Sequence, residues 1–207
     1  ATRAYGGEVV QSADMLATVE ELRRARDLTL VHPFDDPRII AGAGSVADEV
    51  FDELPEADAI VCGVGGGGLV AGLAVVVRAR RPAARVIGVE PDDASSMRQS
   101  LDAGHAVRLA ARPTTVADGL AAPYAGEVTY PHVRELGVEI CTVPDAAIVD
   151  AMFLLLERAK VVAEPAAAAG IAALLGGMPR PALVPGSTVV CVISGGNVDR
   201  DRLRALA

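Results

Sequence analysis

The chain has 207 residues, 51% hydrophobic and 22% charged, with a formal net charge of −8. These proportions predict one folded domain, or slightly more, rather than a disordered chain. They also argue against nucleic acid as a partner: the charge is acidic, and aromatic residues amount to 3% with no Trp, too few for base stacking.

Cys62, Cys141 and Cys191 lie far apart with no CxxC, so neither a disulfide framework nor a zinc cluster is expected, and a cytoplasmic setting is. No apolar run is long enough to cross a membrane without interruption by Gly, Pro or charge. Lys160 is the only lysine.

The elements alternate along the chain. Glu8 to Val10 reads as a short strand, and Ser12 as the N-cap of an amphipathic helix to Arg26. Leu28 to Val31 is a short apolar run before the turn His32-Pro33-Phe34-Asp35-Asp36-Pro37. A helix is predicted over Ser45 to Leu54, a strand over Ala59 to Gly63, a helix over Leu69 to Arg81 and a strand over Arg85 to Glu90. Residues 95–103 read as helix, and 104–125 as irregular. Helices are predicted over 126–136, 145–160 and 165–176, strands over 138–143 and 188–193, and a last helix over Asp199 to Leu206. Pro179, Pro181 and Pro185 mark a loop. Alternating strands and helices predict an α/β fold, a parallel sheet with helices on both faces. In particular, the strands ending at Gly63, Glu90 and Ile193 should share one sheet.

Two turns carry the chemistry. Gly65-Gly66-Gly67-Gly68-Leu69 joins a strand to a helix. Consecutive glycines let the backbone curl and expose N–H groups, and the helix adds its positive dipole end, so a phosphate suits the place. A purely structural turn is the alternative. It is not a Walker loop, since no Gly-Lys-Ser/Thr follows. The second turn, Ser194-Gly195-Gly196-Asn197, leaves an apolar strand, where ligands of parallel sheets bind. Taken alone it is equally an ordinary strand exit.

The segments HPFDDPRIIAG, VGGGGLVAGLA, VIGVEP, TTVADGL, ERAKVVAEPAAAAGIAAL and VISGGNVD, in this order, resemble fold-type II pyridoxal-phosphate enzymes. Within them the chain is most similar to the threonine/serine dehydratase (ammonia-lyase) and serine racemase branch. The resemblance implies a tryptophan-synthase-β-like fold, incomplete here, with residues 1–40 as the second half of a small domain and 41–207 as most of the large cofactor-binding domain. It implies pyridoxal 5'-phosphate as cofactor, its phosphate held by the N–H groups of Gly65, Gly66, Gly67, Gly68 and Leu69. Ser194 would meet the pyridine nitrogen, Gly119 would lie against the cofactor by its backbone, and Glu164 would approach the pocket. Glu164 reads otherwise as a helix N-terminal carboxylate. Glu90, the carbonyl of Ala94 and Ser96 match a divalent-metal site of part of the branch. Ser96 stands where an acid is frequent, which weakens a hard-cation site. The alternative for Glu90 is a strand end followed by a helix cap.

The family's catalytic lysine and its substrate-carboxylate loop lie upstream of a segment like ATRAYG, so the resemblance implies a chain corresponding to the C-terminal two-thirds of such an enzyme. No catalytic residue is assigned, and Lys160 matches a helical position of the family rather than the lysine that carries the cofactor. The implied activity is conversion of a small hydroxy amino acid, threonine or serine, to a 2-oxo acid and ammonia, by a parent protein expected to be a homo-oligomer. An amino-acid racemase of the same fold and a non-catalytic cofactor-binding remnant are the alternatives.

Overall fold

The computed structural model describes residues 2–12, 15–179 and 183–207. It falls into two compact units, Ala1–His32 and Pro33–Ala207.

The first unit holds a 3-10 turn, Thr2–Tyr5, and helix α1, Met15–Arg26. One part of its expected structure differs, and another falls on residues that are not described. Ala13 and Asp14, at the expected start of the helix, lie outside the described residues. Glu8 to Val10 does not form a strand, because a strand exists only through a ladder and these residues have none. No described residue of this unit is buried, as expected of a segment too short to enclose a core. Its visible ties are polar: Arg26 to Glu8 at 2.6 Å, and Glu20 to both Arg23 and Arg24.

The second unit is built on a parallel sheet. Strands β1 (Ala59–Gly63), β2 (Arg85–Pro91), β3 (Glu139–Val143) and β4 (Val189–Cys191) lie in the order β3-β2-β1-β4. Ile60 pairs with Val86 and Val190, and Val89 with Cys141. The three strands expected to share a sheet therefore do. The central strand β1 is buried along its whole length, as its unbroken apolar run requires.

Helices cover both faces. Ile60 and Cys62 of β1 point into one core with α2 (Pro37–Glu53), α3 (Gly68–Arg80) and α5 (Thr129–Glu135), through Phe51, Leu73 and Val133. Ala59 and Val61 point into the other, with α6 (Asp145–Leu154) and α7 (Pro165–Leu175), through Ile148, Met152 and Ala169. This is the period-two alternation of a strand between two layers. Helix α4 is Ser96–Ala103 and α8 is Arg200–Leu206, the latter capped by the Asp199 carboxylate accepting the Arg202 N–H.

Helix α2 begins eight positions earlier than its apolar pattern predicts, at Pro37 rather than Ser45. Asp36 is its N-cap, accepting the Arg38 N–H at 2.8 Å, and Pro37 takes the first helical position, where its missing N–H costs nothing. The expected helix over 145–160 is α6 followed by a π-helical turn, Leu155–Ala159. Lys160 ends it in the left-handed conformation, φ +59°, so it caps the helix instead of lying within it. Pro181 of the proline loop lies outside the described residues. Among the described residues no helix is long and apolar enough to cross a membrane.

Candidate cofactor site

Because β1 and β4 run parallel and adjacent, the turns that follow them open at the same edge of the sheet. The Val192 N–H continues the ladder onto Val61 O at 2.9 Å, and Ser194 comes two residues later. The glycine turn and the Ser194 turn thus share one rim, as a ligand bridging them would need.

The glycine turn is shaped by what packs behind it. A Cβ on Gly66 would run into the Phe34 ring. One on Gly67, at φ +97°, would lie 2.6 Å from Met97 Cε and 2.9 Å from Thr129 Oγ1. No side chain caps α3 at Gly67. The first-turn N–H groups of a helix have no partner within the helix, so those of Gly68 and Leu69 stay open to an anion. An uncapped helix start behind glycines that admit no side chain fits a phosphate.

A third segment closes on the same point. Residues Asp118–Leu120 form a 3-10 turn. A Cβ on Gly65 would sit 3.4 Å from Gly119 O, and one on Gly119 would sit 3.0 Å from Ala166 Cβ and 3.7 Å from Glu164 Oε1. Asp145, at the start of α6, anchors the approach to this turn by accepting the Val116 N–H at 2.8 Å and the Thr115 hydroxyl at 2.5 Å.

Glu164 precedes Pro165 at the N-cap of α7, yet its carboxylate does not cap that helix. It reaches across to the Ser194 turn instead. Glu164 Oε2 accepts the Asn197 N–H at 3.0 Å, and the Glu164 N–H donates to Gly195 O at 3.1 Å. A side chain on Gly195 would collide with this carboxylate. Gly65, Gly119, Glu164 and the Ser194 turn therefore meet at the strand ends.

Glu90 lies at the end of β2. It is fully buried, and its two oxygens accept the Met97 and Arg98 N–H groups, each at 2.8 Å. Burial pushes its carboxyl up to about 8, against the pull of those donors and of the Arg98 guanidinium. Ala94 and Ser96 are buried beside it in the chain, and Ser96 Oγ has no hydrogen-bond partner among the described residues. Among the described residues no group of three or more His, Cys, Asp or Glu side chains is arranged to hold a metal ion.

Lys160 is exposed, and its Nζ donates to Glu157 O at 2.7 Å. The thiols offer no nucleophile: burial pushes Cys62 up furthest, and Cys141 and Cys191 to about 11.

Phe34, Asp35 and Thr129 belong to the site and were not singled out from the sequence. In sequence Phe34 and Asp35 read as part of a turn. The sequence signal was their place just ahead of the Asp36-Pro37 helix start, which fixes where the preceding residues lie.

The pyridoxal-phosphate dependent enzyme family matches residues 1–195. L-threonine ammonia-lyase of Thermotoga maritima is 39% identical over 202 residues, covering 96% of this chain and 49% of that protein. Serine racemase of Oryza sativa subsp. indica is 38% identical over 203 residues, covering 95% of this chain and 59% of that protein. The structure of maize serine racemase superposes with a TM-score of 0.89 at 34% identity, over 98% of this chain and 63% of that one. The chain therefore spans only about half to two-thirds of the length of these relatives. The parallel sheet covered on both faces is the fold-type II architecture of such enzymes. By sequence and by fold, the chain belongs to the pyridoxal-phosphate dependent enzyme family.

Proposed function

We propose that the chain is the phosphate-holding part of a pyridoxal-phosphate ammonia-lyase that converts a small hydroxy amino acid, threonine or serine, to a 2-oxo acid and ammonia. The observation that carries the reading is the uncapped start of α3 behind a glycine turn, on the same rim as the Ser194 turn.

On this reading the N–H groups of Gly65, Gly66, Gly67, Gly68 and Leu69 hold the phosphate. The backbone at Gly119 lies against the cofactor, and Glu164 keeps the Ser194 turn in place through Asn197. Ser194 faces the ring nitrogen with a neutral hydroxyl, which cannot sustain a full proton there as a carboxylate would. When bound, pyridoxal phosphate supplies an electron sink for the amino-acid α-carbon. The second half of a small domain is then Ala1–His32 and most of the large one Pro33–Ala207, rather than 1–40 and 41–207, since a boundary at residue 40 would cut through α2.

Glu90, Ala94 and Ser96 do not make a convincing cation site. One carboxylate, one carbonyl and one hydroxyl are a thin donor set for a hard cation, and both Glu90 oxygens already accept N–H groups. The reading gives Glu90 the role of capping α4 and routes no step through a metal.

A racemase is the second reading, supported by the 38% identity to the rice serine racemase beside 39% to the Thermotoga lyase. The test of both is product analysis of the full-length parent protein with saturating cofactor: 2-oxobutyrate from L-threonine for the lyase, D-serine from L-serine for the racemase. Lys160, exposed and tied to Glu157 O, is not the lysine that carries the cofactor. This chain alone should then release no 2-oxo acid beyond what free pyridoxal phosphate does. Turnover that disappears in Lys160→Ala would overturn that assignment.

A further inference from the structure

A run of glycines has no intrinsic reason to hold an anion-binding shape, since glycine loses more backbone freedom on ordering than any other residue. Something outside the turn must hold it. The restraint converges on one carbonyl. Gly66 O accepts the Thr129 hydroxyl at 2.6 Å and the Gly126 N–H at 3.3 Å. Thr129 is fully buried. It is itself held: the Asp35 carboxylate accepts the N–H groups of Glu127, Val128 and Thr129 at 3.0, 2.8 and 3.2 Å. Phe34, one residue before Asp35, supplies the surface under Gly66. The segment around Gly126 fits this closely too, since a side chain there would collide with Asp35 and with Thr129 Oγ1.

The consequence follows from peptide geometry. The Gly66–Gly67 peptide bond is trans. In a trans peptide, the carbonyl of one residue and the N–H of the next point in opposite directions. Fixing the Gly66 carbonyl toward Thr129 therefore fixes the Gly67 N–H away from it. The Gly67 carbonyl is fixed in turn by the Ala71 N–H at 3.0 Å, which sends the Gly68 N–H out of the start of α3.

We propose that Thr129 is a positioning residue for the glycine turn: its hydroxyl, carried on a backbone that Asp35 holds through the Thr129 N–H, sets the Gly66–Gly67 peptide so that the Gly67 N–H faces the cofactor phosphate. This rests on the reading of the turn as a phosphate cradle. Thr129 does not touch the cofactor and acts only through the peptide it orients.

The test compares the dissociation constants of pyridoxal 5'-phosphate and of pyridoxal, which lacks the phosphate, for the full chain and its Thr129→Val, Thr129→Ser and Asp35→Asn variants. Valine keeps the shape of threonine and removes the donor. Thr129→Val should weaken pyridoxal phosphate by about tenfold or more while leaving pyridoxal nearly unchanged. Thr129→Ser should restore most of the loss, and Asp35→Asn should show an intermediate, equally phosphate-selective loss. The Gly67 amide should shift in the ¹⁵N spectrum when inorganic phosphate is added to the wild type, and not in Thr129→Val. An unchanged preference for the phosphorylated form in Thr129→Val overturns the proposal. So does a loss that falls equally on pyridoxal, or one that serine does not repair. If Thr129→Val fails to fold, the Asp35→Asn and Thr129→Ser chains decide, and an Asp35→Asn chain with wild-type preference overturns it. A wild type with no preference for pyridoxal phosphate over pyridoxal would instead refute the cradle itself.

Discussion

Glu164 and Asn197 are 33 positions apart, and the Glu164 carboxylate accepts the Asn197 backbone N–H at 3.0 Å. This bond ties the N-cap residue of α7 to the turn that leaves β4. Two segments of the rim are thereby set by one side chain. Glu164→Ala removes the acceptor and should cost about 1 kcal/mol in urea unfolding. It should also weaken pyridoxal phosphate binding, because the Ser194 turn loses its anchor. Glu164→Gln keeps an acceptor oxygen and should retain most of both. Equal effects of Ala and Gln would mean that the carboxylate's charge, and not its hydrogen bond, matters.

Helices α2 and α3 approach by their backbones. A Cβ on Gly72 would lie 2.5 Å from Ile40 O and 2.7 Å from Gly44 N, neither of which can move without shifting α2. Gly72→Ala should therefore destabilise by about 1–3 kcal/mol, the usual cost of overpacking. Gly42, on the exposed side of α2, has no atom within 4 Å of its would-be Cβ. Gly42→Ala should stabilise by about 0.5–1 kcal/mol through helix propensity alone. Urea midpoints moving in opposite directions would bear this out, and a loss of stability in Gly42→Ala would contradict it.

Much of the fold was legible because its signals are local. The apolar runs at Ala59–Gly63 and Arg85–Pro91, each followed by a helix, fix the centre of a parallel sheet. The glycine turn declares itself by composition. Other features depend on partners distant in the chain. Glu8 to Val10 has the residues of a strand but no ladder. For Glu164 the resemblance implies an approach to the pocket and the residues alone a helix N-terminal carboxylate, and only the fold shows it turned to Asn197, beyond α7 and β4. Thr129 is invisible in sequence, because its importance lies in a carbonyl 63 positions away.

Asp58 joins the starts of β1 and β4. Its carboxylate accepts the Thr188 N–H at 3.0 Å and a bond from the Arg81 guanidinium at 3.1 Å. The Thr188 N–H first, and then Arg81, hold its carboxyl below its ordinary value of 3.8. A lowered folded value means that the unfolded chain takes up the proton first. The stabilisation is thus present above 3.8 and is lost as pH falls through the lower folded value. Wild-type stability should decline more steeply than that of Asp58→Asn below about pH 4, measured as urea midpoints. Parallel curves for the two chains would count against a role for Asp58 in acid stability.

Glu90 offers the sharpest separation between a structural and a metal-binding carboxylate. Both oxygens accept N–H groups at the start of α4. Removing them strands the Met97 and Arg98 N–H groups in a region where Glu90 itself is fully buried. Each unsatisfied buried group costs about 1–3 kcal/mol, so Glu90→Ala should lose about 2–6 kcal/mol and Glu90→Gln, which keeps one acceptor, clearly less. A capping role needs no ion. The thermal midpoint of the wild type should then be the same with excess magnesium or calcium as with a chelator, whereas a ligand bound only by the folded chain would raise it with concentration. A midpoint that climbs with added cation, and does so no longer in Glu90→Gln, would return Glu90, Ala94 and Ser96 to the role of metal ligands.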